Sequence, residues 1–109
     1  MIVGFDFDGT LNSPSAKKFF KNIANDLNQC KLAVITNRFD VDDEIVKTIK
    51  EIGLKEVIVY AIGEADYNNK AAFIAEEELS FDLFFEDSDF EIIKLKSIGI
   101  SCFKILEAK

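Results

Sequence analysis

The run Phe5-Asp6-Phe7-Asp8-Gly9-Thr10 closes an apolar stretch near the start of the chain with two carboxylates one residue apart. On a strand, residues i and i+2 point to the same side. Asp6 and Asp8 would then repel each other unless one is protonated or a cation lies between them. Gly9 permits a tight turn and a close approach of a ligand to the backbone. Three more polar groups follow later apolar runs. Thr36-Asn37-Arg38 brings a hydroxyl donor and the chain's single arginine; taken alone it reads as ordinary loop chemistry. Lys70 comes at a helix start after Asn68-Asn69. A cation there opposes the helix dipole, which favours a lysine aimed at a bound anion over a bland one. Glu86-Asp87-Ser88-Asp89, with Glu91 shortly beyond, can cap the next helix or bind a hard cation. Together these groups make up the inventory for moving a phosphoryl group: a nucleophile, a proton donor, phosphate clamps and metal ligands.

Such an inventory is useful only if the fold brings it to one place. Apolar runs at 2–7, 32–35, 57–61, 83–85 and 102–105 read as strands. Ser13-Pro14 reads as an N-cap with Pro at the first helical position. It opens a helix with Phe19/Phe20, Ile23 and Leu27 on one face. Asp42 or Asp43 opens a helix carrying Ile45, Ile49 and Ile52, stopped by Gly53. Residues 71–79 and 90–98 read as two further helices, the second stopped by Gly99. Strands and helices alternate, and the strands are apolar on both faces. This is the pattern of a doubly wound, Rossmann-like parallel α/β sheet of five strands. Ligands in such sheets bind outside the C-terminal strand ends, where every polar group above falls. Glu44-Ile45-Val46-Lys47 with Ile52-Gly53 is echoed by Glu91-Ile92-Ile93-Lys94 with Ile98-Gly99, two similar helix–turn–strand units.

The 109 residues, 49% of them hydrophobic, suit one domain spanning 1–109. A net charge of -7 argues against broad nucleic-acid binding, which relies on Lys/Arg neutralising phosphates. The chain has no His. That excludes Ser/His/Asp and Cys/His catalysis and the zinc-protease motifs, and it points any metal site toward oxygen ligands and Mg²⁺. Cys30 and Cys102 read as buried free thiols. Met1 runs straight into strand-like residues without a signal-peptide pattern, and no apolar run approaches a membrane span. The expectation is a cytoplasmic protein that does not bind membranes.

The four groups, in this order, resemble the motifs of the haloacid dehalogenase superfamily of phosphohydrolases, and the resemblance covers nearly the whole chain. Asp6-Phe7-Asp8-Gly9-Thr10 matches D-x-D-x-[TV], Thr36 the Ser/Thr after the second strand, Lys70 the lysine near a helix start, and Glu86-Asp87 with Glu91 the acids after a later strand. The resemblance implies that Asp6 attacks phosphorus and that Asp8 donates and later removes a proton. It implies that Thr36, Asn37 and Lys70 hold phosphoryl oxygens. Mg²⁺ would be bound by Asp6, the Asp8 backbone carbonyl and Asp87, supported by Glu86 and by Glu91, or Asp89 if the spacing slips. Most relatives carry a cap domain after the first motif or before the lysine. Here those gaps are short, so a capless member is expected. An open site suits a large substrate or one closed over by a neighbouring subunit, as in a homo-oligomer.

The leading expectation is therefore a Mg²⁺-dependent phosphomonoesterase acting on a phosphorylated small molecule or nucleotide. A nucleotide or nucleic-acid-end phosphatase and a non-catalytic binding or regulatory module are the alternatives. A response-regulator receiver is set aside. The third strand runs into Ala61-Ile62-Gly63-Glu64 without the phosphorylated Asp a receiver needs, and Asp66 falls too late.

Overall fold

β1 (Ile2–Phe5) starts the chain and becomes the middle of a sheet ordered β3-β2-β1-β4-β5. The computed structural model describes residues 1–65 and 67–106; Asp66, weighed above, lies outside the described residues. β2 (Lys31–Thr36), β3 (Val57–Ala61), β4 (Leu83–Glu86) and β5 (Ser101–Lys104) complete the sheet. Every neighbouring pair is parallel. The fold is thus a five-stranded, all-parallel, Rossmann-like α/β sheet.

Helices cover both faces. α1 (Pro14–Asn22), α2 (Ala24–Leu27) and α3 (Asp43–Ile52) pack Phe20, Leu27, Ile45 and Ile52 against Val3, Phe5, Leu32 and Val34. α4 (Lys70–Glu76) and α5 (Asp89–Ser97) pack Phe73, Ile74 and Leu95 against Ala33, Ile35 and Phe84 on the other side. Phe5, Phe20 and Phe85 meet with ring centroids 5.0–5.4 Å apart, edge-on or stacked. Such aromatic pairs each contribute about 1 kcal/mol beyond their buried area.

Five expectations change. The first strand ends at Phe5, not at residue 7. The helix expected through Leu27 breaks at Ile23, whose φ of -110° and ψ of 12° end α1. Its partition also differs: Phe20 is fully buried while Phe19 is 48% exposed. Adjacent helical residues lie about 100° apart, so only one of the two phenylalanines can face the sheet. The helix expected over 71–79 ends at Glu76. Cys30 and Cys102 are free thiols, half-buried rather than buried. No helix among the described residues is long and apolar enough to cross a membrane.

The echoed units prove to be α3–Gly53–β3 and α5–Gly99–β5. Each runs from a helix through a glycine at positive φ (91° and 87°) into an edge strand. From β1 the chain builds outward through β2 and β3, then returns to build β4 and β5 on the other side. The order therefore reverses between β1 and β4, the position where open α/β sheets form their ligand crevice.

Candidate functional site

Asp6 leaves the sheet at that reversal. Its backbone is still extended (φ -72°, ψ 157°), and its N–H donates to the Phe85 carbonyl at 2.9 Å. This fixes the carboxylate between the ends of β1 and β4. From β4, Glu86 points into the same crevice and is fully buried. The third member comes from the N-terminus of α4. Lys70, 2% exposed, donates to Asp6 Oδ1 at 3.0 Å and to Glu86 Oε2 at 2.9 Å. Asn69 caps that helix by accepting from the Ala72 N–H at 2.8 Å. Glu91 Oε2 accepts from the Lys70 backbone N–H at 2.9 Å. Thr10 Oγ1 donates to Asp6 Oδ2 at 3.3 Å, and Glu86 Oε1 accepts the N–H groups of Asp87 (3.1 Å) and Ser88 (3.3 Å).

Two buried carboxylates share one buried ammonium, so the ionised cluster carries an excess negative charge. Burial pushes the Asp6 carboxyl up to about 8; Lys70 pulls it back and Glu86 adds to the rise. Burial also raises Glu86, again against the pull of Lys70. For Lys70, burial disfavours the charged form, but the two carboxylates outweigh it and the ammonium is held above its ordinary value. Lys70 is thus a fixed cation, and the acids hold room for one more positive charge, whether a proton or a metal ion.

Asp87 supplies the exposed side of that charge. Carboxylate oxygens of Asp6, Glu86 and Asp87 all lie within 4.8 Å of one another. An all-oxygen set of this kind suits a hard cation. The turn after Asp6 is shaped to allow it. Phe7–Leu11 form one wide turn, closed by the Asn12 N–H donating to the Phe7 carbonyl at 3.3 Å. Within it Gly9 has φ 81°, and a Cβ at that position would overlap the Asp87 carboxylate. Only glycine accepts both that φ and that approach.

Asp8 takes a different course. The chain has left the sheet after Asp6, so strand alternation no longer applies, and the two acids do not face one another as an i, i+2 pair. Asp8 instead turns to Arg38, which donates from Nη2 to Oδ1 at 2.7 Å and from Nε to Oδ2 at 3.0 Å. Asn12 adds a contact from Nδ2 to Oδ1 at 3.2 Å. Hydrogen bonding and charge from Arg38 hold the Asp8 carboxyl below its ordinary range. Arg38 also pairs with Asp42 (2.8 Å) and Glu44 (3.0 Å) and lies over the Phe7 ring, 4.8 Å from its centroid.

A cleft of about 220 Å³ gathers Asp6, Asp8, Asn37, Lys70, Glu86, Asp87, Ser88 and Glu91. Thr36 is not among the residues lining it. Thr36 is buried at the end of β2, where its Oγ1 accepts the Arg38 N–H at 3.2 Å. Gly63 lies so close to the Asn37 carbonyl that a side chain there would overlap it. Asp89 pairs with Lys104 at 2.8 Å, outside the cleft. A larger groove, about 660 Å³, runs beside α1 past Val3, Phe85 and Phe103. Its lining is mostly apolar, so the chemistry belongs to the smaller cleft. The residue that loop composition undervalued is Arg38. The one available signal was its being the chain's single arginine, two positions after a strand-end threonine. Comparison with known proteins gives no matching family model and no matching curated relative.

Proposed function

We propose that the chain is a Mg²⁺-dependent phosphomonoester hydrolase of the haloacid dehalogenase type, without a cap domain, working through an aspartyl-phosphate on Asp6. The observation that carries this reading is the buried Asp6–Lys70–Glu86 cluster opening onto exposed Asp87 at the β1/β4 crevice. The short segments α1–α2 and 62–69, where relatives of that type carry caps, are consistent with an open cleft.

Asp6 is held at the cleft with one oxygen on Lys70 and the other on Thr10. Attack by its carboxylate on phosphorus forms the Asp6–phosphorus bond as the bond to the leaving oxygen breaks. Asp8 gives that oxygen its proton. In the second half, Asp8 takes a proton from water, the water oxygen bonds phosphorus, and the Asp6 ester bond breaks to release phosphate. The ionised, Arg38-bound Asp8 is in the form the second half requires; the first half requires it to carry a proton. An ammonium has three donors and two are engaged by the acids, so Lys70 retains one N–H for a phosphoryl oxygen. Asn37 lines the same cleft and can donate its amide to a second phosphoryl oxygen. Bound Mg²⁺, held by Asp6 and Asp87 with Glu86 and the Asp8 carbonyl alongside, would offset the repulsion between an anionic nucleophile and an anionic phosphate.

The deciding experiment is hydrolysis of an aryl phosphate with and without Mg²⁺, comparing the natural chain with Asp6→Asn. The expected result is Mg²⁺-dependent turnover that falls by about a thousandfold or more in the variant, because the nucleophile is gone. An inactive natural chain on this ester and on a broad phosphomonoester panel would favour a binding module.

A further inference from the structure

Arg38 is the chain's single arginine, and both its backbone and its side chain are held. Its N–H donates to Thr36 Oγ1 at 3.2 Å, and its carbonyl accepts the Gly63 N–H at 3.0 Å. Its guanidinium lies over the buried Phe7 ring, 4.8 Å from the centroid. At the start of α3, Asp42 pairs with Nη1 at 2.8 Å and Glu44 with Nη2 at 3.0 Å. These two acids keep the guanidinium in place independently of Asp8.

The rest of the fork goes to Asp8. A carboxylate has about four acceptor sites, two on each oxygen. Oδ1 of Asp8 takes Arg38 Nη2 at 2.7 Å and Asn12 Nδ2 at 3.2 Å. Asn12 Oδ1 accepts the Gly9 N–H at 2.8 Å, which fixes the end of the amide that faces Asp8. Oδ2 of Asp8 takes Arg38 Nε at 3.0 Å and, among the described residues, no other donor. The sites of Oδ1 are therefore filled, and one site of Oδ2 is open. Asp8 lines the cleft together with Asp6, and its side chain is 54% exposed, so water reaches that open site.

We infer that Arg38 is a positioning residue for the second half of the reaction, presenting Asp8 Oδ2 as the atom that takes a proton from water. The inference rests on the phosphatase reading above. In that half the water oxygen bonds phosphorus and its proton passes to Oδ2. The Asp6–phosphorus bond breaks, and its electron pair returns to the Asp6 carboxylate. Such a transfer depends on placement: an error of about 1 Å costs on the order of a hundredfold. A planar fork with two parallel donors fixes both carboxylate oxygens at once. A lysine ammonium, a point charge on a flexible stem, does not. Arg38 thus acts through Asp8 and not on the phosphoryl group.

The test follows the phosphoenzyme of the full chain with nitrophenyl phosphate and Mg²⁺. Nitrophenolate leaves without needing a proton, so the first half bypasses Asp8. In Arg38→Met, acid-quenched phosphoenzyme read by intact mass should decay about a hundredfold more slowly. kcat and KM should fall together while kcat/KM stays level, because only the step after leaving-group departure is slowed. Arg38→Lys should show the same pattern to a smaller degree, and it decides the matter if Arg38→Met fails to fold. A natural chain that turns over no phosphomonoester removes the phosphatase reading and this inference with it. With an active natural chain, three results overturn the inference alone. One is an unchanged phosphoenzyme decay in both variants. Another is a raised KM at constant kcat, which makes Arg38 a contact to substrate. The third is a lowered kcat/KM without phosphoenzyme build-up, the mark of a cleft that has merely loosened.

Discussion

Lys70 is the residue on which the cleft depends most, because among the described residues it alone balances two buried acids. Removing one partner of a buried ion pair leaves an uncompensated charge and typically costs about 3–5 kcal/mol. Lys70→Met should therefore lower unfolding free energy by roughly 3 kcal/mol near neutral pH. The loss should shrink in acid, where Glu86 takes up a proton as Asp6 already has near neutral pH; denaturant melts at two pH values check this. The same charge excess sets the response to metal. With its pKa raised to about 8, Asp6 holds a proton at neutral pH that Mg²⁺ must displace. Mg²⁺ affinity should thus climb as pH approaches 8 and level off above it, with proton release on binding. Calorimetry in two buffers of different ionisation enthalpy reads both. Asp6, Lys70, Glu86 and Asp87 were legible in the sequence as polar residues ending apolar runs. The direction of Asp8 was not. It depends on Arg38, thirty positions away and reached only across the fold.

At the scale of elements, the turn 7–11 joins Asp6 to the Asp87 side of the cleft. Gly9→Ala would force a Cβ against Asp87 and strain a backbone at φ 81°. Mg²⁺ affinity is expected to fall by about ten- to a hundredfold, the range for losing a supporting contact around a ligand. Circular dichroism should show the fold intact. α3 is held at its start by Asp42, whose Oδ1 accepts the Ile45 N–H at 3.1 Å. That bond first, and Arg38 second, keep the Asp42 carboxyl below its ordinary value of 3.8. A depressed folded-state pKa gives stability that is present above the ordinary value and lost as pH falls through the depressed one. Asp42→Ala should accordingly lower Tm at neutral pH, with the gap to the natural chain closing in acid. Asp42 as a cap and Gly53 as a stop could be read directly, since both act through local backbone chemistry. The break at Ile23 could not, because Phe20 and Leu27 are placed by the sheet they pack on and not by helical period alone. Nor could the end of β1 at Phe5, since Phe7 is as apolar and as buried as a strand residue while belonging to the turn.

For the molecule as a whole, the net charge of -7 sits on a chain whose cleft is itself lined by acids. An anionic ester approaches against that field, and the repulsion extends over roughly a Debye length, about 10 Å at 0.1 M salt. Added salt at fixed Mg²⁺ should then raise kcat/KM for a small aryl phosphate. The effect should be steeper for a 5′-phosphorylated oligonucleotide, whose additional phosphates meet the same field. A protein that captures nucleic acid through basic contacts behaves in the opposite way, losing affinity as salt displaces them. Under the proposed phosphatase reading, the sign of the salt dependence on oligonucleotides separates tolerance of such ends from a site built to seek them. A slope that falls with salt would mean that lysines outside the cleft, such as Lys17, Lys47 or Lys50, gather the strand despite the overall charge. A slope that rises leaves selection to the leaving group's fit in the open cleft, where Asn37 and Ser88 can contact it. Stopped-time assays across an ionic-strength series, with Lys70→Met as the inactive control, measure that slope directly.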